Sequence, residues 1–265
     1  MGNQEVPGAV LRAFLFDLDG TLYTDAGAIP GAVEALAELK RRGVPFRFVT
    51  NTTRRSRRRL AERLTGYGFA ARAEEIITAP QACVEELRAR GVRRVAALVA
   101  DETLEDFGDF DMHSGKPEVV VVGDLGNAWD FAKLNRAFLH LMDGAELIAL
   151  QRDRYWLRGD GLALDAGPFV AALEYATGKT ATVCGKPSVE FYRTALEALG
   201  AWAVERPKDV VMVGDDLWGD VDGAQRAGLT AWMVRTGKFR EDVVASSGII
   251  PDRIINSVAE LPRLF

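Results

Sequence analysis

The sequence predicts an α/β protein: a doubly wound parallel sheet, with a second and smaller α/β unit inserted at mid-chain. Three observations carry this. Short apolar runs rich in β-branched and aromatic residues end in polar, glycine-bearing turns. Each run is followed by a stretch whose apolar residues recur with helical period. The alternation occurs in two blocks, one towards each end of the chain, and βαβα alternation builds a parallel sheet with helices on its faces.

In the first block the strand LRAFLF precedes the helix IPGAVEALAELKRRG, and the strand VPFRFVT precedes the helix SRRRLAERLTGYG. In the second, TVCGKPSVEFYRTALEALG leads into DVVMVGDD, then DVDGAQRAG and LTAWMVRTG. Between them VRRVAALVA, PEVVVVGDL, FAKLNRAFLHLM, AELIALQRD, YWLRGDGLALDAG and PFVAALEYATG form a smaller α/β unit. The expected division is a core over residues 1–80, an insertion over 81–182 and the rest of the core over 183–265. No fixed-period repeat or low-complexity tract interrupts it.

Size and composition agree with a globular protein. The chain has 265 residues, 48% of them apolar and 27% charged, with a formal net charge of -5. That balance calls for neither nucleic acid nor an anionic membrane as partner, and an anionic substrate would need a local positive site. The two cysteines, Cys83 and Cys184, have no CxxC or Cys/His spacing, which argues against a disulfide framework and a structural zinc. The first residues lack the basic start and apolar stretch of a secretory signal, and no apolar run is long enough for a membrane span. A cytoplasmic location is the expectation.

Four polar clusters fall just after expected strands or at the mouth of a helix: Asp17 with Asp19; Thr50, Asn51 and Thr52; Lys186 in CGKPS; and Asp215, Asp216 and Asp220 in VGDDLWGD. In open α/β sheets ligands collect at the carboxyl ends of the strands, so this placement points to one site. Gathering the acids there is costly, because two unit charges about 4 Å apart repel by about 4 kcal/mol at an effective dielectric near 20. A divalent cation reverses the sign. Hard oxygen ligands suit Mg²⁺, which is commonly completed by a substrate phosphate. Lys186 and the Thr-Asn turn then serve the remaining phosphate oxygens. Asp17 is placed as nucleophile, and Asp19 as the acid that protonates the leaving oxygen and the base that activates water.

DLDGT, the TN after a strand, GKP, and GDD followed by Asp220 together resemble the four signatures of the haloacid dehalogenase superfamily of phosphatases. The mid-chain insertion resembles the large α/β cap of the NagD-like subgroup. TNTTR, VVVVG, GLALDAGPFVAALEYATG, GDDLWGDVDGAQRAG and VRTGKFR look most like the phospholysine phosphohistidine inorganic pyrophosphate phosphatases. The resemblance implies a Rossmann-like core with an inserted cap, and a Mg²⁺-dependent phosphatase working through an aspartyl-phosphate on Asp17. It also implies metal ligands at Asp17, at the backbone carbonyl of Asp19 and at Asp215, phosphate binding by Thr50, Asn51 and Lys186, and supporting acids at Asp216 and Asp220. The partner implied is a small phosphorylated substrate, with a homodimer as the expected assembly.

Plainer readings exist for each motif. Asp-Gly is a common turn signal, and Pro187-Ser188 can simply start a helix. The order of the four clusters favours the chemical reading. Asp165 sits in a cap segment with Gly167 and Pro168, where substrate contact and an ordinary turn are both open. RRSRRR, at a helix start without interleaved aromatics, reads as a solvated helix face rather than a nucleic-acid site. Two rival functions remain: a non-catalytic phosphometabolite-binding protein, and a dehalogenase-type hydrolase, which the presence of Asp19 disfavours because halide departure needs no acid.

Overall fold

Ala13–Phe16 is apolar and buried at all four positions, the pattern of a strand covered on both faces. It lies at the centre of a six-stranded sheet in the computed structural model, which describes residues 11–158 and 161–264. The reading of residues 1–10 as lacking a signal segment lies outside the described residues.

The sheet order is Arg253–Ile255, Thr230–Val234, Val210–Gly214, Ala13–Phe16, Phe46–Thr50, Ile76–Thr78. Ala13–Phe16 pairs in parallel with Val210–Gly214 on one side and with Phe46–Thr50 on the other. Thr230–Val234 and Arg253–Ile255 continue the parallel run outward. Chain order therefore reverses between Ala13–Phe16 and Val210–Gly214, and a crevice at that switch point is where such sheets bind ligands. The register sets Phe16 beside Val213, and Asp17 N–H donates to the Val213 carbonyl at 3.0 Å. The acids that follow the two strands thus leave the sheet side by side.

The chain divides into two compact units. One holds the residues up to Thr50, Ala61–Ile77 and the chain from Tyr192 onward; the other holds Asn51–Leu60 and Thr78–Phe191. The second unit is built on a four-stranded parallel sheet in the order Thr182–Val183, Glu146–Ala149, Val119–Val122, Val95–Leu98. VVVV at 119–122 is buried throughout. Val119 and Val121 join one apolar cluster with Cys83 and Leu87, while Val120 and Val122 join another with Leu141 and Leu173. A strand alternates its faces, so an unbroken valine run feeds two cores at once. Tyr155–Arg158 pairs antiparallel with Gly161–Leu164.

Candidate active site

The first unit gathers acids from two strand ends. Asp17, Asp215 and Asp220 are all buried, and each offers one carboxylate oxygen within 4.8 Å of the others. Burial, with Asp17 and Asp220 beside it, pushes the Asp215 carboxyl up to about 8. Three acids collected away from water fit a hard divalent cation, because the cation supplies the charge that their mutual repulsion lacks.

Close backbone approach fixes the geometry. Gly20 has φ +82 and Gly237 has φ +62; a Cβ at either would stand 2.2 or 1.9 Å from Asp215 Oδ2. Only glycine fits both positions, for space and for the left-handed backbone. The Lys238 N–H donates to the same oxygen at 2.7 Å. Thr21 Oγ1 reaches Asp17 Oδ2 at 3.4 Å.

Asp216 and Asp220 play different parts. Asp216 Oδ1 accepts the Trp218 and Gly219 N–H groups at 3.0 and 2.8 Å, capping the π-helical turn Leu217–Asp222. Its other oxygen pairs with Lys238 Nζ at 2.9 Å. Asp220 joins the acidic trio, and its Oδ2 accepts the Asp216 N–H at 3.0 Å. The Tyr192 hydroxyl holds the turn through the Gly219 carbonyl at 2.6 Å.

The strand ends at Phe16, so Asp19 does not continue an extended run beside Asp17. The chain turns, Leu18 is buried and Asp19 is exposed. The Tyr23 hydroxyl reaches Asp19 Oδ2 at 3.3 Å. Thr50 ends its strand, buried, in the same sheet.

Asn51 and Lys186 meet within the second unit. Gly185, between Cys184 and Lys186, has no room for a side chain: a Cβ would lie 2.5 Å from both Asn51 Oδ1 and the Leu150 carbonyl. Lys186 is buried and precedes a cis peptide bond to Pro187. Asp165 caps the helix Ala166–Thr177 by accepting the Ala166 N–H at 2.7 Å, and it also accepts from Gln151 Nε2. Burial pushes its carboxyl up to about 6, with Asp124 and Asp153 adding repulsion. The RRSRRR arginines meet acids: Arg54 pairs with Asp124 at 3.5 Å and Arg58 with Glu105 at 3.2 Å. Sequence reasoning missed Tyr23, Gly237 and Lys238 as supports of the site. The signal was LY directly after DGT and GK after a strand, but neither carries chemistry by itself.

Two family models match the chain: haloacid dehalogenase-like hydrolase over residues 14–113, and HAD-hydrolase-like over residues 183–261. A rat protein, haloacid dehalogenase-like hydrolase domain-containing protein 2 (Rattus norvegicus), is 46% identical over 87% of this chain and 86% of its own. The human phospholysine phosphohistidine inorganic pyrophosphate phosphatase is 39% identical over 95% of this chain and 93% of its own. Among solved structures, p-nitrophenyl phosphatase from Archaeoglobus fulgidus matches with TM-score 0.88 and 28% identity, covering 96% of this chain and 99% of that one. NagD from E. coli K-12 matches with TM-score 0.85 and 26% identity, covering 94% and 98%. Fold, acids and likenesses define an α/β hydrolase of the phosphatase class. The chain belongs to the haloacid dehalogenase-like hydrolase family, and the resemblance read from its motifs holds. Among the described residues no helix is long and apolar enough to cross a membrane.

Proposed function

We propose that the chain is a Mg²⁺-dependent phosphatase that hydrolyses a small phosphate monoester, or a related P–O or P–N bond, through an aspartyl-phosphate on Asp17. The observation that carries this is the buried convergence of Asp17, Asp215 and Asp220. Asp17, the Asp19 backbone carbonyl and Asp215 would hold the metal, with Asp220 and Asp216 as supporting acids beside them. When bound, Mg²⁺ neutralises charge on the acids and on the transferred phosphoryl group.

Asp17 attacks phosphorus while Asp19 gives its proton to the leaving oxygen, and Asp19 then takes a proton from the water that opens the acyl phosphate. Thr50, Asn51 and Lys186 bind the phosphate oxygens. Residues 1–80 and 183–265 act as the catalytic core, residues 81–182 as the cap that sets specificity, with Asp165 touching substrate. The working place is the cytoplasm, consistent with the buried free thiols of Cys83 and Cys184, and the working assembly a homodimer.

The name of the human relative puts P–N bonds and pyrophosphate into the test panel. Phosphate release is measured across sugar phosphates, aryl phosphates, pyrophosphate and phosphoramidates, with Mg²⁺ and with chelator. Release that requires the metal and disappears in Asp17→Asn is expected. Turnover by Asp17→Asn at the wild-type rate overturns the reading, and saturable binding without release replaces it with a binding protein.

A further inference from the structure

Tyr23 has no exposed surface, and a buried phenol needs a hydrogen-bond partner for its hydroxyl. Asp19 supplies it: the Tyr23 hydroxyl donates to Oδ2 at 3.3 Å. The pairing is held from the backbone. The Gly20 N–H donates to the Tyr23 carbonyl at 2.7 Å, and the N–H groups of Thr21, Leu22 and Tyr23 converge on the Leu18 carbonyl at 3.3, 2.9 and 3.3 Å. Asp19 and Tyr23 are thus opposite ends of one closed loop.

The ring is held as well. The Arg63 guanidinium lies 4.6 Å from the centroid of the Tyr23 ring and 5.6 Å from that of Tyr67, whose rings are 5.2 Å apart. Arg63 Nε and Nη2 both donate to the Tyr67 hydroxyl at 3.4 Å, and Nη2 pairs with Asp25 at 3.6 Å. A cation over the face of an aromatic ring is attracted by its quadrupole. For Tyr23 to swing away from Asp19, this stack must open.

We propose that Tyr23, clamped by Arg63, is a positioning residue for the acid step: it holds one oxygen of Asp19, so that the proton passes through the other in a fixed direction. This rests on the proposed reading in which Asp19 is the general acid. In that step an Asp17 oxygen bonds to phosphorus as the bond from phosphorus to the leaving oxygen breaks. The Asp19 proton goes to that oxygen, leaving a carboxylate that the Tyr23 hydroxyl already meets.

Leaving-group dependence separates positioning from mere packing. Phenolate leaves well only with a proton, whereas p-nitrophenolate leaves without one, and kcat/KM reports the steps up to leaving-group departure regardless of how slowly the acyl phosphate opens. We therefore compare kcat/KM on phenyl phosphate and p-nitrophenyl phosphate in the full chain with Mg²⁺. Tyr23→Phe keeps the ring and its packing; it is expected to lose about tenfold on phenyl phosphate and less than about twofold on p-nitrophenyl phosphate. Arg63→Met is expected to show the same selective loss, and Arg63→Lys, which keeps a cation over the ring, to recover most of it. Equal losses on both esters, or none on either, overturn the inference. Asp19→Asn tells its failure apart from failure of the underlying reading. A selective loss there with an unselective Tyr23→Phe removes only the role of Tyr23, whereas an unselective Asp19→Asn removes Asp19 as the acid.

Discussion

Asn51 and Lys186, 135 positions apart in the chain, are joined by two reciprocal hydrogen bonds: Asn51 Nδ2 donates to the Lys186 carbonyl at 2.9 Å, and the Lys186 N–H donates to Asn51 Oδ1 at 2.7 Å. One side-chain amide satisfies both backbone groups of the lysine, which fixes where its long side chain departs. Two motifs that look independent in the sequence are therefore one structural device.

Asn51→Ala should weaken both stability and phosphate binding. It leaves a donor and an acceptor of Lys186 without their partner, at a cost of about 1–3 kcal/mol. For a chain of this size that lowers Tm by about 2–4 °C per kcal/mol. KM for phosphate esters is expected to rise about tenfold with a smaller change in kcat, while Asn51→Asp, which keeps the acceptor, falls between. Thermal melts and steady-state kinetics read the two effects; a melt and a KM both like wild type would remove the clasp from the account.

Gly237→Ala tests the close approach to Asp215. The new methyl would fall 1.9 Å from Asp215 Oδ2 in a backbone with φ +62, so both the carboxylate and the loop must shift. Mg²⁺ affinity by calorimetry is expected to drop at least about tenfold, the equivalent of about 1.4 kcal/mol. Unchanged affinity would mean that Asp215 tolerates displacement.

Much of this was legible because strong signals were local. AFLF and VVVV are apolar at every position, and runs buried on both faces need no partner to be recognised. The acids and Lys186 announced themselves as charges at strand ends. The outer strands Ile76–Thr78 and Arg253–Ile255 did not, because three residues are too short to show a period. The GDD motif groups Asp220 with the site as a supporting acid, but its approach to Asp17 and Asp215 depends on a π-helical turn capped by Asp216, which spacing alone does not show. The same holds for Tyr23: an aromatic after a turn reads as core until the closed loop Asp19–Tyr23 aims its hydroxyl at a carboxylate.

Asp216 and Asp220 lie four positions apart in the sequence, and their conservative variants should separate. Asp216→Asn keeps an oxygen for the Trp218 and Gly219 N–H groups and loses the ion pair with Lys238, which lies at the surface and is worth less than about 1 kcal/mol. Asp220→Asn removes one negative charge from the buried trio. Mg²⁺ titration of chelator-treated protein should show affinity near wild type for the first and about tenfold or more weaker for the second. Equal affinities would remove Asp220 as a support of the metal site.

Asp165 makes stability depend on pH in a direction opposite to that of an ordinary paired carboxylate. Its folded value stands at about 6, above the usual 3.8, because burial and the nearby Asp124 and Asp153 disfavour the charge. The folded protein therefore binds this proton more tightly than the unfolded chain. The stability it contributes is complete below about pH 4 and is lost as pH rises through about 6. Asp165→Asn keeps an oxygen for the Ala166 N–H and cannot ionise. Relative to that variant, the wild-type Tm should fall between about pH 4 and 7 and then level off, so that the asparagine form gains on the wild type across this window. A difference in Tm that stays constant from pH 4 to 8 would show that Asp165 is ionised in the folded state throughout, with its charge balanced at the head of the helix Ala166–Thr177.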